Sequence, residues 1–101
     1  MKEAISTWIA ALRSGEYNQA QSSLYDENSR SFCCLGVYAQ VNGLADFKLH
    51  DFSLAIDQNS IYKEIYETVD HDFAWSLIRL NDGSGFNFNQ IADVIEEEYS
   101  K

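Results

Sequence analysis

Two adjacent cysteines, Cys33 and Cys34, are the side chains of this sequence best suited to covalent chemistry. Because a thiol in the first turn of a helix meets the positive end of the helix dipole, its pKa falls and the nucleophilic thiolate is favoured. No spacing in the sequence requires a base to meet either thiol, and free cysteine is among the most buried residue types. Core packing is therefore the favoured interpretation, and no catalytic residue is assigned. A cysteine nucleophile would draw its base and orienting carboxylate from His50, His71, Asp51 and Asp72.

A metal site is not predicted from either cluster of candidate ligands. Zinc sites use spaced cysteine pairs, whereas two adjacent cysteines seldom both reach one ion with good geometry. The segment LNDGSGFNF at residues 80–88 contains oxygen ligands, but an EF-hand needs one at the third loop position. If the loop starts at Asn81 or Asp82, that position holds glycine or serine. The segment is therefore predicted to be a turn between two helices, and no metal or cofactor is expected.

Charge is the clearest global feature, since 16 acidic and 7 basic residues give a net charge of −9. Residues 1–50 carry a net charge of −1, and residues 51–101 carry −8. Such a surface repels phosphate backbones and attracts basic surfaces, so direct nucleic-acid binding is disfavoured. A DNA-reading helix–turn–helix over residues 72–98 fails for the same reason. The expected partner is a protein with a basic surface, and the acidic candidates for binding it are Asp70, Asp72, Asp82, Asp93, Glu96, Glu97 and Glu98.

The aromatic residues favour core filling individually, and together they suit either a protein interface or a pocket for a cationic or nucleobase ligand. Six tyrosines and two tryptophans are many for 101 residues, and aromatic rings beside polar groups suit stacking on a nucleobase. Trp75 falls off the apolar face of its helix and is expected to be partly exposed. The pocket candidates are Tyr17, Tyr38 and Trp75 for stacking, with Arg79 and Asn81 for hydrogen bonds.

The elements that must position these residues are predicted to be short helices. Residues 3–13 place apolar side chains at i, i+3, i+4 and i+7, which predicts an amphipathic helix. Residues 17–32 are polar, and the alternatives are an irregular loop or a short hairpin. An apolar helix then begins near residues 31–32 and ends at the Asn-Gly pair of residues 42–43. Because it is apolar nearly all round, this helix is expected to be central and buried, with small residues that allow a second helix to approach closely.

The second half of the chain has weaker signals at first. Residues 44–59 show no clean period and are predicted to be a loop with room for a short helix. Residues 60–68 are predicted to be a helix capped by Ser60. The next helix, capped by Asp70 or Asp72, is expected to extend to about residue 80.

The last helix has the strongest sequence signals. Asn87 and Gln90 have the spacing of a capping box, and a regular apolar stripe follows them. The predicted fold class is mainly all-α: a single domain over residues 1–101 with four or five short helices, and a short hairpin near residues 17–32 as the alternative to a loop.

Membrane insertion is not predicted, because no apolar run approaches the roughly 20 residues that cross a bilayer. The N-terminal segment lacks a small-residue cleavage pattern, and Glu3 and Arg13 interrupt its apolar residues. It is therefore interpreted as a helix of the mature protein. Adjacent cysteines cannot staple distant loops, which favours a reducing cytoplasm over a disulfide framework.

Three motifs occur in order along the chain: ALRSGEY at 11–17, FCCLGV at 32–37 and LNDGSGFNFNQIADVIEE at 80–97. Together they resemble a group of small phage and prophage proteins that share LRSG-x-Y, a CCLGV-like segment and an LNDG…F-x-x-IAD-x-I ending. The resemblance spans most of the chain apart from residues 44–70. It implies a virus-encoded accessory protein that acts in the bacterial host cytoplasm, and it assigns no catalytic residue.

Three functional hypotheses remain. The leading one is a non-enzymatic inhibitor or modulator of a host defence or nucleic-acid-processing protein. Its acidic residues would mimic nucleic-acid phosphates and bind the basic surface of that protein. The alternative is a protein that binds and sequesters a nucleotide-like signal in the aromatic pocket. A cysteine-dependent enzyme is the third and least favoured.

Overall fold

The computed structural model describes residues 2–21, 24–44 and 58–100, and five helices and three short strands lie within them. Helix α1 spans Glu3–Arg13, as predicted. Glu3 in its first turn and Arg13 in its last turn both interact favourably with the helix dipole. The predicted apolar stripe of α1 is buried and consists of Ile5, Trp8, Ile9 and Leu12.

Three two-residue strands follow α1: β1 is Asn18–Gln19, β2 is Tyr25–Asp26 and β3 is Ser31–Phe32. They pair in the order β1-β3-β2, with β3 antiparallel to β2 and parallel to β1. The hairpin alternative for residues 17–32 is therefore correct. The parallel strand β1 adds a third member that the sequence does not predict.

Helix α2 spans Cys34–Val41 and begins later than predicted, because its N-cap is Cys33. Residues 31–32 pair with strands on both sides and are held extended, so they cannot open the helix. The Cys33 Sγ accepts a hydrogen bond from the Gly36 N–H at 3.4 Å, as an N-cap side chain does. Every residue from 34 to 39 is buried, which confirms the central position of this helix.

Gly36 allows α2 to approach a neighbouring backbone closely. A Cβ atom at this position would overlap the carbonyl oxygen of Leu24. The same oxygen accepts a hydrogen bond from the Cys33 N–H at 3.2 Å. The expected close approach is present, but the partner is the chain that enters β2 and not a second helix.

Helix α3 spans Gln58–Tyr66 and ends two residues before the predicted limit. The predicted cap Ser60 is wrong, because Ser60 lies inside the helix. Two further hydrogen bonds extend its last turn, from the Thr68 and Val69 N–H groups to the Ile65 carbonyl at 3.1 and 2.9 Å. Val69 is buried and anchors this turn to the core. Residues 45–57 of the predicted loop lie outside the described residues.

The last two helices begin at the predicted caps. Helix α4 spans His71–Asp82, and the Asp70 carboxylate accepts a hydrogen bond from the Phe73 N–H at 3.0 Å. Helix α5 spans Phe88–Tyr99 and begins with the capping box, since Asn87 and Gln90 exchange two hydrogen bonds of 2.9 Å.

The helices share one core with α2 at its centre. α1 packs against α5 and α2, and α2 also contacts α3 and α4. The Trp8 ring lies edge-on to Tyr38 with centroids 5.1 Å apart, and its N–H donates to the Cys34 carbonyl at 2.8 Å. The prediction of a mainly all-α domain is therefore confirmed. Among the described helices, none combines the length and apolar character that a bilayer crossing requires.

Candidate functional site

A cleft of about 720 Å³ lies between α3 and α4. The lining residues of each helix recur at helical spacing, so each helix lines the cleft with one face. Cys33, the N-cap of α2, completes the described lining. The helical residues of the lining are Asn59, Tyr62, Lys63 and Tyr66 from α3, with Trp75, Ile78 and Asp82 from α4.

Aromatic rings form a continuous row along the cleft. Tyr62 and Tyr66 are stacked with centroids 6.1 Å apart, and Tyr66 meets the His71 ring edge-on at 4.6 Å. The Trp75 N–H donates to Nε2 of His71 at 3.1 Å, which holds the indole beside this row. Trp75 is 45% exposed, as expected from its position off the apolar face. The cleft therefore presents flat apolar surfaces that a planar molecule can stack on.

Three polar groups of the lining, Cys33, Tyr62 and Asp82, lie close enough together to influence one another electrostatically. Burial raises the pKa of Cys33 to about 11. Burial also raises the pKa of Tyr62 to about 12, and the charges of Cys33, Tyr66 and Asp82 add to that increase. The Asp82 carboxylate is half-buried and accepts a hydrogen bond from the Asn81 amide at 2.8 Å. At neutral pH the cleft thus offers a protonated thiol, a protonated hydroxyl and the Asp82 side chain as hydrogen-bonding groups.

The positions of the cysteines do not favour nucleophilic catalysis. Burial outweighs the helix dipole at Cys33, so its pKa is raised where the dipole alone would lower it. Cys34 is fully buried, its pKa is raised well above the usual range by burial, and its Sγ lies 3.9 Å from the Leu77 carbonyl. His71 contacts Tyr66 and Trp75 instead of a thiol, although its Nδ1 lies 3.5 Å from the carboxylate of Asp72, the predicted orienting residue. His50 and Asp51, the other candidate partners, lie outside the described residues.

We expect both thiols to resist alkylation in the native protein. With the pKa of Cys33 raised from 9.0 to about 11, iodoacetamide should label it about 100-fold more slowly than in the unfolded chain. A thiol whose pKa is raised on folding stabilises the native state below pH 9 and loses that effect as the pH rises through 11. Native labelling rates and urea unfolding between these pH values measure both effects.

Cys33→Ser is the matched variant for this experiment. Serine is a preferred N-cap, so the fold should persist while the dependence of stability on alkaline pH decreases. Labelling of either thiol in the native protein at the rate of the denatured chain would contradict the buried, protonated description.

The residues predicted to form a ligand pocket are not brought together. Trp75 lines the cleft, and Arg79 lies exposed on the same helix. Tyr38 is buried against Trp8, and Tyr17 packs edge-on to Phe32 with centroids 5.3 Å apart. Asn81 lies in the interior and belongs to a structural network, so the cleft shares only Trp75 with the predicted set.

Asn81 ties α4 to the small sheet. Its amide donates to the Ala20 carbonyl at 2.8 Å, and its oxygen accepts from the Gln19 amide at 2.8 Å. Gln19 also donates to the Phe86 carbonyl at 2.7 Å, which fixes the turn before α5. The network explains how a polar side chain that is 1% exposed is accommodated in the core.

The seven predicted acidic residues separate into three places. Asp93 and Glu96 bind the Arg13 guanidinium at 2.7 and 3.0 Å. The hydrogen bonds that Arg13 donates to Glu96 and, to a smaller extent, to Asp93 raise its pKa. Asp82 lines the cleft. The remaining four lie at the start of α4 and the end of α5: Asp70, Asp72, Glu97 and Glu98.

Packing brings the start of α4 and the end of α5 together. The Tyr99 ring meets Phe73 edge-on with centroids 5.7 Å apart. Burial raises the pKa of Tyr99, and the nearby charges of Asp70 and Glu98 add to that increase. We refer to Asp70, Asp72, Glu97 and Glu98 as the acidic end. Among the described residues no group of three or more histidine, cysteine or acidic side chains has the geometry of a metal site.

Sequence reasoning missed most of the cleft, although a signal was present. Asn59, Tyr62, Lys63 and Tyr66 occur at i, i+3, i+4 and i+7, the spacing of one helix face. This face mixes aromatic and polar side chains, while Ile61 and Ile65 form the buried stripe of the same helix.

Comparison with curated proteins and with solved structures gives no match. A family model described as a domain of unknown function, DUF8296, matches residues 1–72. The matched range contains α1, the small sheet, α2, α3 and the beginning of α4, so it includes Cys33 and the α3 wall of the cleft. Since the match covers more than half of the sequence, this chain belongs to the DUF8296 family.

Proposed function

We propose that this chain is a non-enzymatic binding protein that holds a small, planar, nucleotide-like molecule in the cleft between α3 and α4. The observation that carries the proposal is the row of rings formed by Tyr62, Tyr66 and Trp75 along a cavity of about 720 Å³. Ligand pockets in proteins have volumes of roughly 300–1,000 Å³ and mostly apolar linings with a few polar groups.

Stacking is the interaction that this lining supports best. Tyrosine and tryptophan rings stack on nucleobases, and each such contact contributes about 1–3 kcal/mol by alanine substitution. Binding without catalysis agrees with the raised pKa of Cys33, which leaves little thiolate at neutral pH. In a phage-type accessory protein, such binding would sequester a nucleotide-like signal of the host, in the cytoplasm where that signal acts.

The proposal is tested by thermal unfolding of the full chain with a panel of nucleobases, nucleosides and nucleotides. A ligand present at 100 times its Kd adds about 2.7 kcal/mol to the free energy of unfolding. For a domain of this size the melting temperature should rise by roughly 10–20 °C. Because one stacking contact contributes about 1–3 kcal/mol, Trp75→Ala should reduce the rise in melting temperature. Quenching of the exposed indole in the unmodified protein should report binding directly.

Ser76→Ala is the matched control. Ser76 is the next residue of α4, is exposed, and its hydroxyl donates within its own helix to the Asp72 carbonyl at 3.1 Å. This variant should keep the full response. The proposal fails if two results are both negative: no member of the panel raises the melting temperature, and the purified protein releases no aromatic small molecule on denaturation, as judged by mass spectrometry.

A second candidate function rests on the acidic end. Packing of Tyr99 on Phe73 places acidic residues from two helix termini in one region, and opposite charge attracts basic protein surfaces. We propose, as the second candidate, a modulator that occupies the basic surface of a host defence or nucleic-acid-processing protein. Asp93 and Glu96 contribute less to this surface because Arg13 already binds them.

Two triple variants with the same change in charge test this candidate. Asp72→Asn with Glu97→Gln and Glu98→Gln removes charge from the acidic end. The control replaces Glu3, Glu16 and Glu27, which are exposed residues elsewhere, by glutamine. In a pull-down from host lysate at low and at high salt, the amount of host protein retained should fall for the first variant only. Equal losses in both would show a bulk charge effect and contradict the candidate.

A further inference from the structure

We infer that the ligand of the cleft is an aromatic amine joined to an anionic group, with the amine directed at Asp82 and the anion at Lys63. This inference rests on the proposed function and specifies its ligand class. An aminopurine mononucleotide has both groups at opposite ends of one molecule and is the natural probe.

Asp82 supplies the acceptor for the amine. It is the last residue of α4, where the helix dipole adds partial negative charge to that of the carboxylate. The Asn81 amide holds the carboxylate at 2.8 Å, and Tyr62 and Cys33 line the same part of the cleft. A ligand group that donates hydrogen bonds matches this surface, and an anion would be repelled by it.

Lys63 supplies the attraction for the anion. It is the only cation in the described lining, and it lies between Tyr62 and Tyr66 on the cleft face of α3. Lys63 is exposed and takes part in none of the ion pairs found among the described residues. A lysine ammonium acts as a flexible point charge for phosphate. One cation in a protein of net charge −9 favours a monophosphate over a triphosphate.

Comparing the affinities of three ligands for the unmodified protein distinguishes the contribution of the amine from that of the phosphate. Adenosine monophosphate has both groups, adenosine lacks the phosphate, and purine riboside monophosphate lacks the amine. Isothermal titration should show about tenfold weaker binding for each loss, since each removes a charge-assisted hydrogen bond. Adenosine triphosphate should bind more weakly than the monophosphate.

Two variants assign the contacts to residues. With Asp82→Asn, adenosine monophosphate and its analogue without the amine should bind within about twofold of each other, because the charge-assisted contact is gone. With Lys63→Gln, adenosine monophosphate and adenosine should become equivalent in the same way. Asp93→Asn and Lys2→Gln change the same charges outside the cleft, at the exposed Arg13 ion pair and before α1, and should preserve both preferences.

The outcomes distinguish the inference from the proposed function. If the unmodified protein binds all three ligands equally, the assignment of polarity is overturned while nucleotide binding stands. The same holds if Asp82→Asn and Lys63→Gln weaken every ligand alike. If the unmodified protein binds no member of the nucleotide panel, both the function and the inference are overturned. The ligand comparison needs no variant, so a folding defect in Asp82→Asn would not prevent a decision.

Discussion

Replacing Gly36 with alanine is expected to lower the free energy of unfolding by about 3 kcal/mol. The new Cβ atom would overlap the Leu24 carbonyl oxygen, and this oxygen is backbone that cannot rotate away. Moving the chain would also break the hydrogen bond between the Cys33 N–H and the Leu24 oxygen, which closes the start of α2. Urea unfolding measures the loss, and the melting temperature should fall by roughly 12–24 °C.

Gly83→Ala is the control for the Gly36 prediction. Gly83 has a φ of −112°, which an alanine readily adopts, and its nearest backbone neighbour would lie 3.3 Å from the added Cβ. We expect a change within about 1 kcal/mol. Similar losses for both variants would contradict the prediction, because the contact with Leu24 is present only at Gly36 and helix propensity favours alanine over glycine.

Asn81→Asp should destabilise the protein by about 3 kcal/mol or more at neutral pH. The substitution keeps the shape of the side chain but replaces the amide that donates to the Ala20 carbonyl and to Asp82. The new carboxylate would be buried and would face two oxygen atoms that were hydrogen-bond acceptors. Burial and the neighbouring Asp82 charge would both raise its pKa.

The sign of the pH dependence makes this prediction specific. A carboxyl group whose pKa is raised by folding binds its proton more tightly in the native state, so its destabilisation grows as the pH rises through the folded pKa. The difference in stability from the unmodified protein should therefore shrink as the pH falls from 7 towards about 4, near the unfolded pKa of aspartic acid. A protonated carboxyl can donate to the Ala20 carbonyl again.

Asn89→Asp provides the same chemical change at an exposed position. Asn89 lies in the first turn of α5, where a negative charge interacts favourably with the helix dipole. It should change stability by at most about 0.5 kcal/mol. A loss at Asn81 that did not vary with pH would contradict the assigned hydrogen bonds and indicate a packing defect instead.

The accuracy of the sequence predictions differs between elements for a physical reason. The limits of α1 and the capping box of α5 are correct because the deciding contacts join residues at most four positions apart. The start of α2 is wrong because strand pairing holds residues 31–32 extended, and the pairing strands come from residues 18–19 and 25–26. A local pattern contains no information about that competition.

The candidate sites show the same division. The position of Trp75 on its helix predicts exposure, and the side chain is exposed and lines the cleft. The sequence places Asn81 among pocket candidates, yet its side chain joins α4 to Ala20 and Gln19. Polar residues at a turn have the same appearance in sequence whether they meet a ligand or the protein itself.

The sequence by itself determined the helical class, the caps of the last two helices, the acidic charge and the buried character of the cysteine segment. These follow from composition and from spacing within a few residues. Only the tertiary structure decided which acidic residues form ion pairs with Arg13, that burial outweighs the dipole at Cys33, and that α3 and α4 enclose a cleft. The reason is that charge pairing, desolvation and cavity shape depend on groups that are distant in sequence and adjacent only after the chain has folded.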